Sequence, residues 1–375
     1  MPRTTVGAVT FSLDDLRRRP DIEAPGLAAV DAADRLILDE SAAARQSLDD
    51  GHLVVIGDSY GALTLGCAAS GARGIRVHQD AITGEQALAA NASHVGLDSR
   101  FTSLPLDADV VRDARVVVMR LPRSLDALRD IAGLIAAHAD PEVVVFAGGR
   151  IKHMTLAMNE VLREHFTRVD VTHARQKSRV LIARGPRAGA DPAPRQAVHD
   201  ELTVCAFGGA FAGTSIDIGT RLLLDHLPHD MPDEVIDLAC GTGVVAAVIA
   251  RRHPRTRVHA SDASAVAVAS ARATAEANGV ADRVSVVQDD LLRSRDDAGA
   301  DLILLNPPFH SAGAVTPDLA PRFFADAARV LRPGGKLLCV WNSGLRYPAA
   351  LERLVGPTVQ VARNTKFTVS ASTRR

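Results

Sequence analysis

The chain of 375 residues is long enough for two domains with separate cores, and its 47% hydrophobic and 23% charged residues are ordinary for a globular protein. A net charge of −1 excludes a global attraction to nucleic acid, and the halves do not differ: residues 1–187 carry 23 Lys and Arg against 24 Asp and Glu, the remainder 20 against 20, so a nucleic-acid contact must use local patches. Four scattered cysteines (Cys67, Cys205, Cys240, Cys339) with no metal-ligand or disulfide spacing, no apolar leader after Met1 and no apolar run near ~18 residues point to a soluble protein of the reducing cytoplasm, with no metal and no membrane segment.

Short β-branched runs alternate with Ala-rich helical stretches along most of the chain, the pattern of βαβ units and a parallel sheet. In the front half "HLVVIGDSYGALTLG" reads as strand, glycine turn and helix, "RVHQDAITG" as a second strand and "ARVVVMRLPRS" as a third. The Pro-, Gly- and Ala-rich segment "GPRAGADPAPRQAVHD" (185–200) reads as a linker between a domain at 1–184 and another at 201–375. Beyond it, "EVIDLACG" enters a second glycine turn, "TGVVAAVIARRH" starts a helix, and "RVHASDAS" is a strand ending in an acid. "AVAVASARATAEANG" is a helix stopped by Asn278-Gly279. "RVSVVQDD" and "ADLILLNPPF" supply two strands, "PDLAPRFFADAARVLRPGG" a helix and turn, and "KLLCVWN" a fifth strand. "TVQVARN" and "KFTVSAS" close the chain as two β segments that can pair antiparallel.

The halves repeat one order of motifs. Gly61 falls on Gly243 and Asp80 on Asp262 at an offset of 182 residues, and Arg120-Leu121-Pro122-Arg123 falls on Asn306-Pro307-Pro308-Phe309 at 186. Duplication explains this more simply than the general likeness of parallel-sheet proteins.

The back half carries the chemistry. Asp237, Gly241 and Gly243 lie in a turn between a buried strand and a helix, where glycine lets the backbone approach a ligand and the helix start offers free N–H groups. The turn has neither a GxGxxG spacing nor a Gly-Lys-Ser/Thr ending. Asp262 is placed to accept from ribose hydroxyls. One of Asp289 and Asp290, with Asp290 favoured, can take an adenine amine, although either can instead be a turn acid. Asn306-Pro307-Pro308-Phe309 stiffens a strand end. The Asn306 oxygen and the Pro307 carbonyl can hold the two N–H groups of a planar amine, and Phe309 offers a stacking face. Phe211 and Asp217, in "GGAFAGTSIDIGTRLLLDHL", are candidates to close over the methionine end of a cofactor, with helix capping the alternative for Asp217.

In this order the motifs resemble class I S-adenosylmethionine-dependent methyltransferases, amino-group methylating ones in particular. Over residues 25–372 the chain is similar to ribosomal RNA guanine-N2 methyltransferases of the RlmG/RsmC type. "FAGTSIDIGTRLLL", "DLACGTGV", "SDASAVAVASARATAEANGV" and "NPPFH" carry that likeness, and "DAADRLILDE", "GDSYGAL" and "RLPRSLDAL" lean to the large-subunit, 23S branch. The resemblance implies an α/β fold of two tandem Rossmann-like methyltransferase domains, the N-terminal one degenerate. It also implies S-adenosylmethionine as cofactor, and ribosomal RNA or an assembling subunit as partner of a monomer. Val55 then stands for Asp237, Ser59 for Gly241, Arg120 for Asn306 and Arg123 for Phe309. The damaged copy can hold RNA, with Arg120, Arg123, Arg175 and Lys177 as candidate phosphate contacts or as solvated surface charges. A 16S guanine-N2, adenine-N6 or protein-glutamine methyltransferase and a non-catalytic assembly factor are the alternatives.

Overall fold

A computed structural model describes residues 11–308, 319–345 and 347–375. Two compact units meet in sequence between Pro192 and Ala193. The first holds strands β1 (Leu53–Ile56), β2 (Ile75–His78), β3 (Phe101–Ser103), β4 (Val116–Arg120), β5 (Val144–Arg150), β6 (Phe166–Val171) and β7 (Ser178–Pro186). The second opens with a hairpin, β8 (Arg195–His199) and β9 (Leu202–Ala206). It continues with β10 (Glu234–Leu238), β11 (Arg257–Asp262), β12 (Val284–Gln288), β13 (Ala300–Leu305), β14 (Leu331–Asn342), β15 (Thr358–Arg363) and β16 (Phe367–Thr373).

Both large sheets have one topology. Their orders are β3-β2-β1-β4-β5-β7-β6 and β12-β11-β10-β13-β14-β16-β15, parallel except that β7 and β16 run antiparallel to both neighbours. Helices on both faces bury the central strands, so these read as unbroken apolar runs such as "LVVI". Successive residues serve opposite faces: Val54 and Ile56 join one core layer of the first unit, Leu53 and Val55 the other.

Strand registers test the repeat. Leu53 pairs with Val116 and Val235 with Leu302, so offsets of 182 for β1/β10 and 186 for β4/β13 hold. Ile56 pairs with His78, whereas Leu238 pairs with Ser261. The counterpart of Asp262 is therefore Gln79, not Asp80. One residue more in the second unit's first crossover hides this from a fixed offset.

The 185–200 segment is not a linker throughout. Gly185 and Pro186 close β7, and 195–199 form β8. Val198 is 70% exposed, so β8 rests on backbone pairing and leaves no apolar pattern to read. The fifth strand of the second unit starts early, at Leu331 opposite Ala300, and a register shift absorbs the Pro333-Gly334-Gly335 corner. Strand β9 docks on the helix Ala265–Ala277 through a polar stripe spaced by four: Phe207 N donates to Ser270 Oγ (3.0 Å), Cys205 N to Thr274 Oγ1 (3.0 Å) and Thr203 N to Asn278 Oδ1 (3.0 Å). This satisfies backbone groups that no neighbouring strand reaches. It also fixes the point from which residues 207–217 set out toward the end of β13.

Candidate active site

The glycine turn after β10 presents one open face. Among the described residues no atom lies within 4 Å of where a Cβ on Gly241 (φ +54) would stand, so a ligand can approach its backbone. Gly243 (φ +75) serves packing instead, since a Cβ there would lie 2.8 Å from Ala271 Cβ. Asp262 locks the turn, accepting from Gly241 N at 2.9 Å and from Ser264 N at 3.0 Å. Asp237 is buried beneath and accepts from Ala246 N at 3.1 Å. Burial, with a contribution from the Asp262 charge, pushes its carboxyl up to about 7. Asp290 is buried beside Arg293 (3.1 Å), and burial raises its pKa against the pull of Arg293 and Arg322. Its neighbour Asp289 accepts from Ser294 N (2.8 Å) and Oγ (2.7 Å), so it holds its own turn. Burial likewise pushes the Cys240 thiol well above its usual range, which leaves it without thiolate character.

Asn306 follows β13, the strand beside β10. Its Nδ2 donates to Asp217 Oδ2 and to Thr220 Oγ1, both at 3.0 Å. Among the described residues its buried Oδ1 has no hydrogen-bond partner. Asp217 also caps the helix Ile218–Leu224, accepting from Thr220 N at 3.1 Å. Pro307 is buried and Pro308 exposed. Phe309 lies outside the described residues. Phe211 stands 68% exposed on the segment leading to Asp217.

The first unit fills the same places. Asp58 sits under its turn and accepts from Gly61 N (3.1 Å) and Thr64 N (2.8 Å), replacing the carboxylate lost at Val55. The Gln79 amide donates to the Asp58 carbonyl. A Cβ on Gly84 would come within 2.6 Å of the Ser59 carbonyl, so loop and helix have closed on each other. Tyr60 is buried under the Arg18 guanidinium (4.5 Å to the ring centroid) and donates to Asp21, which brings the 16–23 segment down over the turn. At the end of β4, Arg120 donates to Asp31 (2.8 and 3.1 Å) and Asp34 (2.6 Å). Burial alone would lower its pKa, and the Asp34 and Asp31 carboxylates more than reverse this. Arg120 is therefore committed inside the unit and is withdrawn as a phosphate contact. Arg175 shares its charge with Asp39 at 2.7 Å. Arg123 and Lys177 are exposed.

The chain matches the family model "Methyltransferase small domain" over residues 201–371 and "RLMG N-terminal domain" over 5–187. It is 33% identical to the ribosomal RNA large subunit methyltransferase G of Streptomyces avermitilis, covering 96% of this chain and 97% of that one. The enzyme of the same name from Shewanella amazonensis is 32% identical, with 95% and 94% covered. The chain belongs to the ribosomal RNA large subunit methyltransferase G family. Among solved structures it is similar in fold to the T. thermophilus 16S rRNA N2 G1207 methyltransferase RsmC in complex with AdoMet and guanosine, with TM-score 0.73, 20% identity and 92% of each chain covered.

In this member of the methyltransferase G family the sequence also carries a signal for one pair of side chains. "DAADRLILD" (31–39) and "DIGTRLLLD" (217–225) align at the 186-residue offset that relates Arg120 to Asn306. Asp31 and Asp34 thus correspond to Asp217 and Thr220. The fold makes both pairs grip the residue at the end of the fourth strand. Among the described residues no cluster of His, Cys, Asp or Glu could hold a metal ion, and no helix is long and apolar enough to cross a membrane.

Proposed function

We infer that this protein transfers a methyl group from S-adenosylmethionine to the exocyclic N2 amine of a guanine in large-subunit ribosomal RNA. The observation that carries the reading is the buried Oδ1 of Asn306, partnerless among the described residues, beside an open glycine turn. A buried acceptor without a partner costs about 1–3 kcal/mol, and an arriving N–H relieves it. Its place in a family named for large-subunit ribosomal RNA methylation supports the RNA. A structural relative that is a 16S rRNA N2 G1207 methyltransferase supports the base.

The residues present fit the cofactor. The exposed backbone of Gly241, the acids Asp262 and Asp290, and buried Asp237 would hold its ribose, adenine and cationic methionine portions. When bound, S-adenosylmethionine supplies an electrophilic methyl on a sulfonium. The Asn306 oxygen and the Pro307 carbonyl accept the two N–H groups of the amine, which leaves its lone pair facing away from both acceptors. Proline at 307 and 308 keeps these acceptors from relaxing.

The N-terminal unit is read as the RNA-holding part, through a different set of cations than Arg120. His153 is lowered by desolvation and then by Arg123, Lys152, Arg120 and Arg150. Ile151 N donates to the Lys177 carbonyl. Arg123, Arg150, Lys152 and Lys177 thus gather at the C-terminal ends of β4 and β5. Replacing Lys152 and Lys177 with alanine is expected to lower the salt dependence of RNA binding by about one unit of slope each. We take the protein to act as a cytoplasmic monomer.

Nucleoside mass spectrometry of ribosomal RNA from a strain lacking the gene tests the function. One N2-methylguanine should vanish from the 23S fraction and return with the wild-type gene but not with Asn306→Ala. Loss from 16S RNA, loss of an N6-methyladenine, or no loss overturns the assignment.

A further inference from the structure

We propose that Asp217 and Thr220 are positioning residues that set which way the Asn306 amide faces, so that its oxygen rather than its nitrogen meets the amine. The proposal rests on the amine-methylation reading above and deepens it.

The two ends of an asparagine amide are nearly the same shape, but their chemistry is opposite. A flipped Asn306 would aim two N–H groups at a substrate amine whose own hydrogens need acceptors. A carboxylate can only accept, so Asp217 at 3.0 Å demands the nitrogen. Thr220 Oγ1, also at 3.0 Å, takes the second Nδ2 hydrogen. With both hydrogens used, Oδ1 is left as an acceptor with no partner among the described residues. A flip would set oxygen against carboxylate oxygen at the same spacing.

Asp217 is itself held in place. It caps the helix Ile218–Leu224 through Thr220 N. Gly219 leaves it room: a Cβ there would stand 3.0 Å from Asp217 Oδ2 and 3.2 Å from the Phe367 ring. The first unit supplies an independent observation. There the same two helix positions, Asp31 and Asp34, grip Arg120 at the equivalent strand end. The two units thus hold different residues with the same pair of helix positions.

The test uses the full-length protein, labelled S-adenosylmethionine and ribosomal RNA purified from the deletion strain, with cofactor affinity by calorimetry and folding by thermal melting. Asp217→Asn keeps a helix cap but permits either amide orientation. It should lower kcat by about 10²-fold with little change in cofactor Kd. Thr220→Val should lower kcat in the same way, and Thr220→Ser should restore it. Gly219→Ala, which removes no polar group, should lower kcat by crowding Asp217. Asn306→Asp opposes two carboxylates, and adding Asp217→Asn re-forms a donor–acceptor pair. The double variant should therefore exceed the Asn306→Asp single in kcat. If Asp217→Asn fails to melt cooperatively, Thr220→Val and Gly219→Ala carry the test. Wild-type kcat in folded Asp217→Asn or Thr220→Val overturns the proposal, as does a rise in cofactor Kd at unchanged kcat, which would make Asp217 a cofactor contact. A wild-type protein that transfers no methyl to this RNA removes the functional reading itself.

Discussion

At the end of the fourth strand the first unit places Arg120 and the second Asn306, and each is held by the N-cap and N3 side chains of the helix that precedes the glycine-turn strand, Ala32–Gln46 and Ile218–Leu224. The guanidinium has only donors, and it is wrapped by two carboxylates. The amide spends its two hydrogens on Asp217 and Thr220 and keeps an acceptor in hand. The same contrast recurs at the glycine turns. Gly241 faces open space, while its counterpart Ser59 presses on Gly84 and Gln79 ties down the loop. One backbone plan thus supports a copy whose turn and fourth-strand end are occupied by its own side chains and a copy whose turn stays open with an acceptor aimed beside it. What separates them is side-chain chemistry at a few strand ends.

The largest effect that would break this comparison is in the second unit. Asn306→Ala should lower turnover by about 10²–10³-fold, the scale of losing one preorganised polar contact to the reacting group, with cofactor Kd nearly unchanged by calorimetry. Its mirror, Arg120→Ala, should leave cofactor affinity alone. It should destabilise the fold by about 2–3 kcal/mol in a thermal melt, somewhat below the 3–5 of a fully buried pair, because 26% of the Arg120 side chain still meets solvent. Loss of turnover in Arg120→Ala at full stability would mean that the filled copy does more than fold.

Next in size, Asp262→Ala should weaken S-adenosylmethionine binding by about 10–10²-fold, as for hydrogen bonds to a charged group. The counterpart change Gln79→Ala should leave Kd unaltered. Equal effects at both positions would contradict the assignment of cofactor binding to one copy.

The smallest expected effect is a pH dependence. Asp237 is pushed up to about 7 from the usual 3.8, so the folded protein keeps a proton that the unfolded chain sheds. The stabilisation from this proton is complete below about pH 4 and is lost as pH rises through 7. A cationic cofactor favours the ionised form, so its affinity should rise by up to about tenfold between about pH 6 and 8, with proton release seen in buffers of different ionisation enthalpy. Asp237→Asn should flatten the profile, and a flat wild-type profile would place Asp237 away from the cofactor charge.

Much of this was open to reading in the chain alone. The apolar runs, the glycine turns, the Asn278-Gly279 stop and the repeated motif order state a doubled parallel-sheet plan, because strand burial and turn geometry are local demands on residue type. The placement of Gln79 rather than Asp80 opposite Asp262 needed the strand register, since one extra residue in a crossover leaves the local pattern untouched. Strand β8 was illegible because it buries little.

By itself, then, the sequence determined the class of fold, its duplication and the chemical character of Asn306-Pro307-Pro308. Only the tertiary structure decided that Arg120 is spent internally, that Asp217 turns toward Asn306, and that the Asn306 oxygen is the end left over. Those outcomes depend on which atoms meet across 86 to 89 residues of intervening chain. No local pattern of residue types records which end of an amide its distant partners will claim.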